Sequence, residues 1–420
     1  MKKTRTIRSY LPSIFGFFLF VSMMSAGYYY NLTFVQLGLE DFGRRQLGLS
    51  QFAVARDMAF LALFTCGIAL VFGWWMKRHR WGFKFRKKLQ ASFGVVLAQC
   101  ILTATIHFVN NEFGFIIWLL VASATLGVGV PVMFSLTIDL VPVKHRGIAA
   151  ALVTASAYFF AGAFSETWTF EFFRAHSLLV LIFGSFGMGV LAFVRHPWLT
   201  ALSRQHQDPS YAIGRFVRRN SKTNNRPSRR IRGLILVMFG IYFVDSLGFL
   251  RLLNVPGFME GTWQSPIISE RIFIAVVHVI GALIAGVLYN ALSERHLFFW
   301  ILGLFALTHL QYSLHIRTTG GADVTLSMPM LYALAVSLYT VINFSIWADL
   351  STPETISIHS ALGVALSAWT ATFLSTGLAI YWHAQGMSLT RHIQIVDSLA
   401  MLLFLVMAVL TFFRPSERNV

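Results

Sequence analysis

Apolar residues in this chain do not alternate with polar ones or recur at short amphipathic spacing. They come in long runs. Reading runs between polar breaks gives twelve, at about 10–36, 50–75, 89–108, 113–140, 147–171, 177–194, 232–254, 266–290, 297–316, 325–348, 357–382 and 394–413. A bilayer core about 30 Å thick asks for roughly 20 apolar residues per helix, and each run comes close to that or exceeds it. The pattern predicts an all-α membrane protein with twelve transmembrane helices. The only long polar interruption, Arg204 to Arg232, follows the sixth run. It divides the chain into an N-terminal six-helix half (1–194), a basic linker (195–231) and a C-terminal six-helix half (232–420).

Composition agrees. Of 420 residues, 56% are hydrophobic and 12% charged, with 40 Phe and 11 Trp, and no water-soluble domain needs so much apolar surface. The net charge of +17 raises the question of nucleic acid. The basic residues, however, sit in short segments between apolar runs and carry no nucleic-acid-binding motif, so topology explains them and no nucleic-acid partner is expected. With the N-terminus inside, all but eight of the 34 Lys and Arg fall in cytoplasmic segments. The eight are Arg44, Arg45, Arg56, Arg174, Arg251, Arg271, Arg317 and Arg391. Both termini are therefore expected in the cytoplasm. The linker reads either as a solvated loop that sets topology or as a surface for anionic lipid headgroups, the plainer reading being the first. A basic start and "SMMSA" in the first run give it a faint signal-peptide look, but the seventh run is a comparable helix, so the first is read as a span. Cys66 and Cys100 lie inside apolar runs without metal-ligand spacing.

The two halves repeat. A shift of 213 residues lays Gln51 on Gln264, Asp57 on Glu270, Ala69 on Ala282 and Gly73 on Gly286, and a shift of 210 lays Asp139 on Asp349. Both are near half the chain, as a duplicated six-helix unit would give. The stretch "DLVPVKHRGIAAALV", Asp139 to Val153, resembles the loop between the fourth and fifth helices of the major facilitator superfamily, with Asp139, Pro142, Arg146 and Gly147 in the family's order. "LGLSQFAVA", Leu47 to Ala55, resembles the opening of its second helix. With twelve spans and a central basic loop, the resemblance covers nearly the whole chain. It implies two pseudo-symmetric bundles that rock about a central site.

The sequence also departs from that family. Where the family's loop after the second helix carries an acid, Gly73 is followed by Lys77 and Arg78, and Gly286 by Asn290. The acid's part in latching the cytoplasmic side falls to other residues, with Asp139 and Asp349 as candidates beside Gly73, Arg146, Gly147 and Gly286. Drug exporters of the superfamily carry an Arg before the glycines of the fourth helix and a Gly-Pro signature in the fifth. Here Ser123 precedes Gly127 and Gly129, and "ASAYFFAGAF" has no Pro, which weakens the case for a proton-driven drug antiporter.

An ionisable group in hydrocarbon is costly, about 2.5–3.5 kcal/mol at the helix centre on insertion scales, so each is a functional candidate. With Ser50 as a helix cap, Asp57 lies about 10 Å inside the second helix. Arg56 and Asp57 are sequence neighbours pointing about 100° apart, so each is expected to need another partner. Ser265-Pro266 opens the eighth helix, placing Glu270 and Arg271 at similar depth. A pairing of Asp57 with Arg271 and of Glu270 with Arg56 across the pseudo-twofold axis would make an outer gate; the other reading is four charges snorkelling to the interface. Asp245, 13 residues past Arg232, is the deepest acid and the candidate coupling carboxylate, with Arg251 beside it for an anionic substrate group. The bland reading of Asp245 is a salt bridge within the bundle. Helices one, four, seven and ten line the cavity in the resembled fold, which brings in Tyr28 to Tyr30, Asn31, Ser123, Tyr242, Tyr339, Asn343 and Trp347. Glu166, His359 and Trp369 are weaker candidates. Ala157, Ala161 and Gly162 allow close helix approach.

The expected protein is a monomeric secondary transporter in the plasma or inner membrane, moving a small polar or anionic solute by alternating access with a proton as candidate coupling ion. No cofactor or metal is expected. No nucleophile-base set, zinc-ligand spacing or nucleotide-binding glycine loop points to an enzyme. The alternative is a membrane sensor or assembly factor built on the same scaffold.

Overall fold

Residues 11–164, 169–217, 229–253, 258–259, 262–320 and 324–412 are described by the structure, a computed structural model. Among these residues there are helices and connections and no strand. The N-terminal half holds α1 (Leu11–Gln46), α2 (Gln51–Arg78), α3 (Phe85–Phe108), α4 (Glu112–Leu140), α5 (Val143–Phe164) and α6 (Phe170–Phe193). The C-terminal half holds α7 (Arg229–Leu253), α8 (Ile268–Ala291), α9 (Glu294–Thr319), α10 (Ser327–Asp349), α11 (Ile356–Ala384) and α12 (Leu389–Phe412). All twelve are long and apolar enough to cross a membrane. Apolar side chains such as Phe18, Val71, Phe186 and Val287 stand exposed on their outer faces, as lipid-facing positions do.

Several boundaries move, and for three the contacts show why. The first helix continues past its expected end near residue 36 to Gln46. Its polar turn is held by i,i+4 pairs, Arg45 to Asp41 at 2.7 Å and Arg44 to Glu40 at 3.7 Å, so polarity there does not end the helix. Within it, Asn31–Gly38 is wound more widely, and the Leu39 N–H bonds Phe34 O, five residues back. The sixth helix begins at Phe170, earlier than the apolar run suggests, because Asp41 Oδ2 accepts from the Phe170 N–H at 2.8 Å and caps it from another helix. The eighth begins at Ile268, after the Ser-Pro pair: Ser265 Oγ accepts from Ile267 N at 3.1 Å in a turn before the helix. Ser50 does cap α2, accepting from Ala53 N at 3.2 Å.

The halves meet through small residues. A Cβ on Gly162 of α5 would lie 2.7 Å from Ala275 Cβ of α8, and one on Gly147 would lie 2.9 Å from Gly286 O. Within the C-terminal half, Gly363 of α11 lies under the indole of Trp347 of α10, where an added Cβ would fall 2.0 Å from the ring. Gly363→Ala is expected to overpack this spot by about 1–3 kcal/mol, read as a lowered Tm in detergent.

The described first part of the linker, 195–217, is not the solvated loop expected of it. His196 and Asp208 cap two short helices, Pro197–Leu202 and Pro209–Ala212, each with Pro in its first turn. Leu202 is fully buried, Gln205 donates to Ser13 Oγ at 3.0 Å, and the Gly214 and Phe216 N–H groups bond Ser351 O and Asp349 O at 3.0 and 2.9 Å. The segment 197–217 thus docks on the face that carries the basic loops, touching both halves.

Candidate functional site

A cavity of about 270 Å³ lies between the halves, lined from α1, α4, α5, α7, α8, α10 and α11 among others. Its lining reaches Glu40 of α1, Gln51 of α2 and Ile380 of α11, near the helix ends opposite the basic loops. Towards the basic face it stops at Phe134 of α4 and Phe344 of α10, whose rings stack across the halves at 5.7 Å and 2°.

Asp245 of α7 is buried in this cavity. Tyr332 and Tyr339, two turns apart on α10, donate to its two oxygens, each at 2.7 Å. Among the described residues no Lys, Arg or His is within ion-pair distance of it, and two hydroxyls hold the carboxylate. Across the cavity, His278 of α8 stacks on Tyr158 of α5 at 4.0 Å and 3°, with its Nδ1 2.9 Å from Ser337 Oγ. Tyr28 donates to the Tyr158 hydroxyl at 3.2 Å. Asn31 donates to Gly27 O at 2.8 Å, and its buried Oδ1 has no partner. Glu40 and Asp245 are the charged groups of the described lining, which contains no Lys or Arg.

The basic face is closed. Arg146 of α5 donates to Asp349 Oδ1 at 2.8 Å, to Ala348 O at 2.9 Å and to Tyr211 O of the linker. Tyr289 of α8 donates to the other Asp349 oxygen at 2.7 Å, and Arg215 of the linker donates to Tyr289 O and Leu292 O. Lys88 of α3, fully buried, pairs with Asp139 of α4, and His206 of the linker lies 3.2 Å from the same carboxylate. Gly73 O accepts from Ser357 Oγ at 2.9 Å. Gly82, after α2, lies so near Pro353, before α11, that a Cβ would fall 1.6 Å from the Pro353 carbonyl oxygen. Gly73, Asp139, Arg146, Gly147, Gly286 and Asp349, read from the sequence as one group, lie at this face. Of the two candidate acids, Asp349 joins the halves, while Asp139 pairs inside its own half and with the linker.

Other expected residues fall differently. Tyr28, Asn31, Tyr242, Asp245, Tyr339, Asn343 and Trp369 line the cavity. Trp347 does not: it is fully buried against Gly363, and its Nε1 donates to Asn343 Oδ1 at 2.9 Å. Ser123 instead ties α4 to α2 through Leu61 O at 3.1 Å, and Tyr30 bonds Thr103 Oγ1 at 3.1 Å in the core. His359 bonds Ser351 Oγ near the closed face at 2.9 Å. The side chain of Arg251, and Glu166, lie outside the described residues.

The crossed pairing of the outer charges is replaced by a local one. Arg56 bends back to Asp57 Oδ1, with Nε at 3.0 Å and Nη2 at 2.8 Å, and also pairs with Glu112 at the start of α4. The long, flexible arginine side chain reaches where the Cβ directions of neighbours do not. Asp57 is fully buried. Arg271 donates to Gly162 O at 2.7 Å and Ser265 O at 3.3 Å, bracing α8 against α5, and Glu270 is half-buried beside it.

Tyr158, His278, Tyr332, Lys88 and Gly82 were missed. His278 was findable by depth, ten residues into α8 in an apolar run. Lys88 was not: it stands beside Lys87 in one basic cluster, and only helical phase turns it inward.

Two six-helix halves around a central cavity closed at one face define the class: the fold is that of the major facilitator superfamily transporters. The chain is similar to the proton:xylose symporter XylE bound to 6-bromo-6-deoxy-D-glucose, at 12% identity over 96% of each chain, with a TM-score of 0.63. It is likewise similar to the human organic anion transporter MFSD10 (TETRAN), at 14% identity over 94% of this chain and 99% of that one, with a TM-score of 0.60. No family model matches the sequence, and no curated protein does. At these identities the likeness establishes the fold of an integral, multi-pass membrane protein.

Proposed function

We propose that the protein is a secondary transporter of a small solute, working by alternating access in a cell membrane, plasma or inner, with both termini in the cytoplasm. One observation carries the reading. The cavity lies between the halves, reaches one face, and is shut off from the other by contacts that join one half to the other. Such contacts, an ion pair, a few hydrogen bonds and glycine-backbone approaches, break when the halves rock without unfolding either half. Gly73, Arg146, Gly147, Gly286 and Asp349 act as the cytoplasmic gate, with Asp139 steadying the linker beside it. Arg56, Asp57, Glu270 and Arg271 serve the outer rim when the other face closes.

Asp245 is the coupling carboxylate in this scheme, taking up and releasing a proton as the cavity changes sides, with Tyr332 and Tyr339 holding it and Tyr28, Tyr158, Tyr242 and His278 around the same cavity. The finer expectation of an anionic solute rests on Arg251, whose side chain lies outside the described residues. The described lining, acidic and aromatic, favours an uncharged or cationic solute.

The test is solute counterflow and proton-driven uptake in proteoliposomes. Wild-type protein is expected to show saturable counterflow, and Asp245→Asn to lose uptake driven by a pH gradient while retaining counterflow only at raised solute concentration. A wild-type protein without saturable counterflow of any neutral, cationic or anionic solute would be a sensor or scaffold, and the transport reading would fall.

A further inference from the structure

Resting on the reading of the central cavity as the solute site, the chemistry left unspent on its wall specifies what binds there. A carboxylate offers about four lone-pair sites, and the two tyrosines use one on each oxygen of Asp245. The remaining sites have no donor among the described residues. Asn31 Oδ1 is a second buried acceptor without a partner. Several donors of the lining are engaged: the Tyr332 and Tyr339 hydroxyls on Asp245, Asn31 Nδ2 on Gly27 O and the Tyr28 hydroxyl on Tyr158. Asn343 Oδ1 is itself occupied by Trp347.

A buried carboxylate with open acceptor sites and no described cation beside it suits a ligand that donates. An anion or a bare carbonyl placed on Asp245 would meet an acceptor and lose its own hydration without replacement. The carboxylate, buried and without a cationic partner among the described residues, is also costly to keep charged in an empty site, and an incoming cation removes that cost. The rings of Tyr28, Tyr158, Tyr242, Phe249 and Trp263 line the same space, and aromatic faces attract organic cations as well as apolar groups.

We propose that this cavity binds a primary or secondary organic ammonium carrying an apolar or aromatic group, with the ammonium on Asp245 and the apolar part among the rings. Asn31 Oδ1 accepts from a second donor of the ligand.

Three matched probes test this on the purified full-length chain by thermal shift and calorimetry: 2-phenylethylammonium, 2-phenylethanol and phenylacetate. They share the ring and differ in charge. The ammonium is expected to bind best, by about tenfold or more over either analogue, and to lose about that factor in Asp245→Asn. Asp245→Glu, which keeps the charge, is expected to retain part of the binding. The wild-type ranking needs no variant, so the proposal stays testable if Asp245→Asn does not fold. Equal or tighter binding of phenylacetate or the alcohol, no binding of the ammonium, or an unchanged affinity in Asp245→Asn overturns it. Ammonium binding without counterflow would sink the transport reading and leave this one standing. Counterflow of a neutral or anionic solute without ammonium binding would do the reverse.

Discussion

Asp349→Ala is expected to open the basic face. Arg146 is almost wholly buried, and Asp349 is the acid it pairs with; its other described bonds go to the carbonyls of Ala348 and Tyr211. Removing the carboxylate leaves a guanidinium in the interior with neutral partners, a change that costs roughly 3–5 kcal/mol in comparable buried pairs. The pair spans the halves, so the cost falls on the closed form, and the ratio of closed to open should drop on the order of 10²–10³-fold. A cysteine placed at Ser345, buried on α10 one turn above Asp349, with Cys66 and Cys100 replaced by Ala, reports it. Its labelling by a membrane-impermeant maleimide from the side of the basic loops should accelerate sharply. Arg146→Ala should do less, because Asp349 keeps the Tyr289 hydroxyl. Equal labelling of Asp349→Ala and wild type would show that the pair does not hold this face shut.

Gly82→Ala should give the same readout by a different force. The added methyl would sit 1.6 Å from the carbonyl oxygen of Pro353, far inside van der Waals contact, and the obstacle is backbone rather than a side chain that can swing away. The loop after α2 and the loop before α11 belong to different halves, so the wedge acts between them. Overpacking of this kind costs about 1–3 kcal/mol, again charged to the closed form. Gly67→Ala in the middle of α2, where nothing lies within 4 Å of the added carbon, is the control. It should leave labelling unchanged and stabilise the helix by up to about 1 kcal/mol. Accelerated labelling in both variants would implicate α2 itself, and in neither would mean the loops separate freely.

Much of this protein was legible in its sequence, and the limits of that reading have physical causes. The start of α6 moves because a tertiary contact replaces a local signal: Asp41 of α1 caps it, a bond between residues 129 positions apart. Asp245 was readable because depth along a helix follows from counting residues at about 1.5 Å each. Asn343 and Trp347 share one face of α10 at i and i+4, yet only Asn343 reaches the cavity. One turn further towards the closed face, the space is taken by α11, and Gly363 is where the indole fits. Arg56 and Asp57 leave the backbone in different directions, and the long flexible arginine side chain closes that gap.

Hydropathy is a local and additive quantity, and so the sequence by itself determined that this is a twelve-helix membrane protein in two related halves, with its positive charge gathered at one face. Pairing is neither local nor additive. Arg146 and Asp349 are 203 residues apart, Lys88 and Asp139 are 51, and no periodicity in the chain links them. Only the packed structure decided which charges are spent holding a face closed and that the linker docks there. It also left Asp245 in the cavity with tyrosines and no described cation beside it.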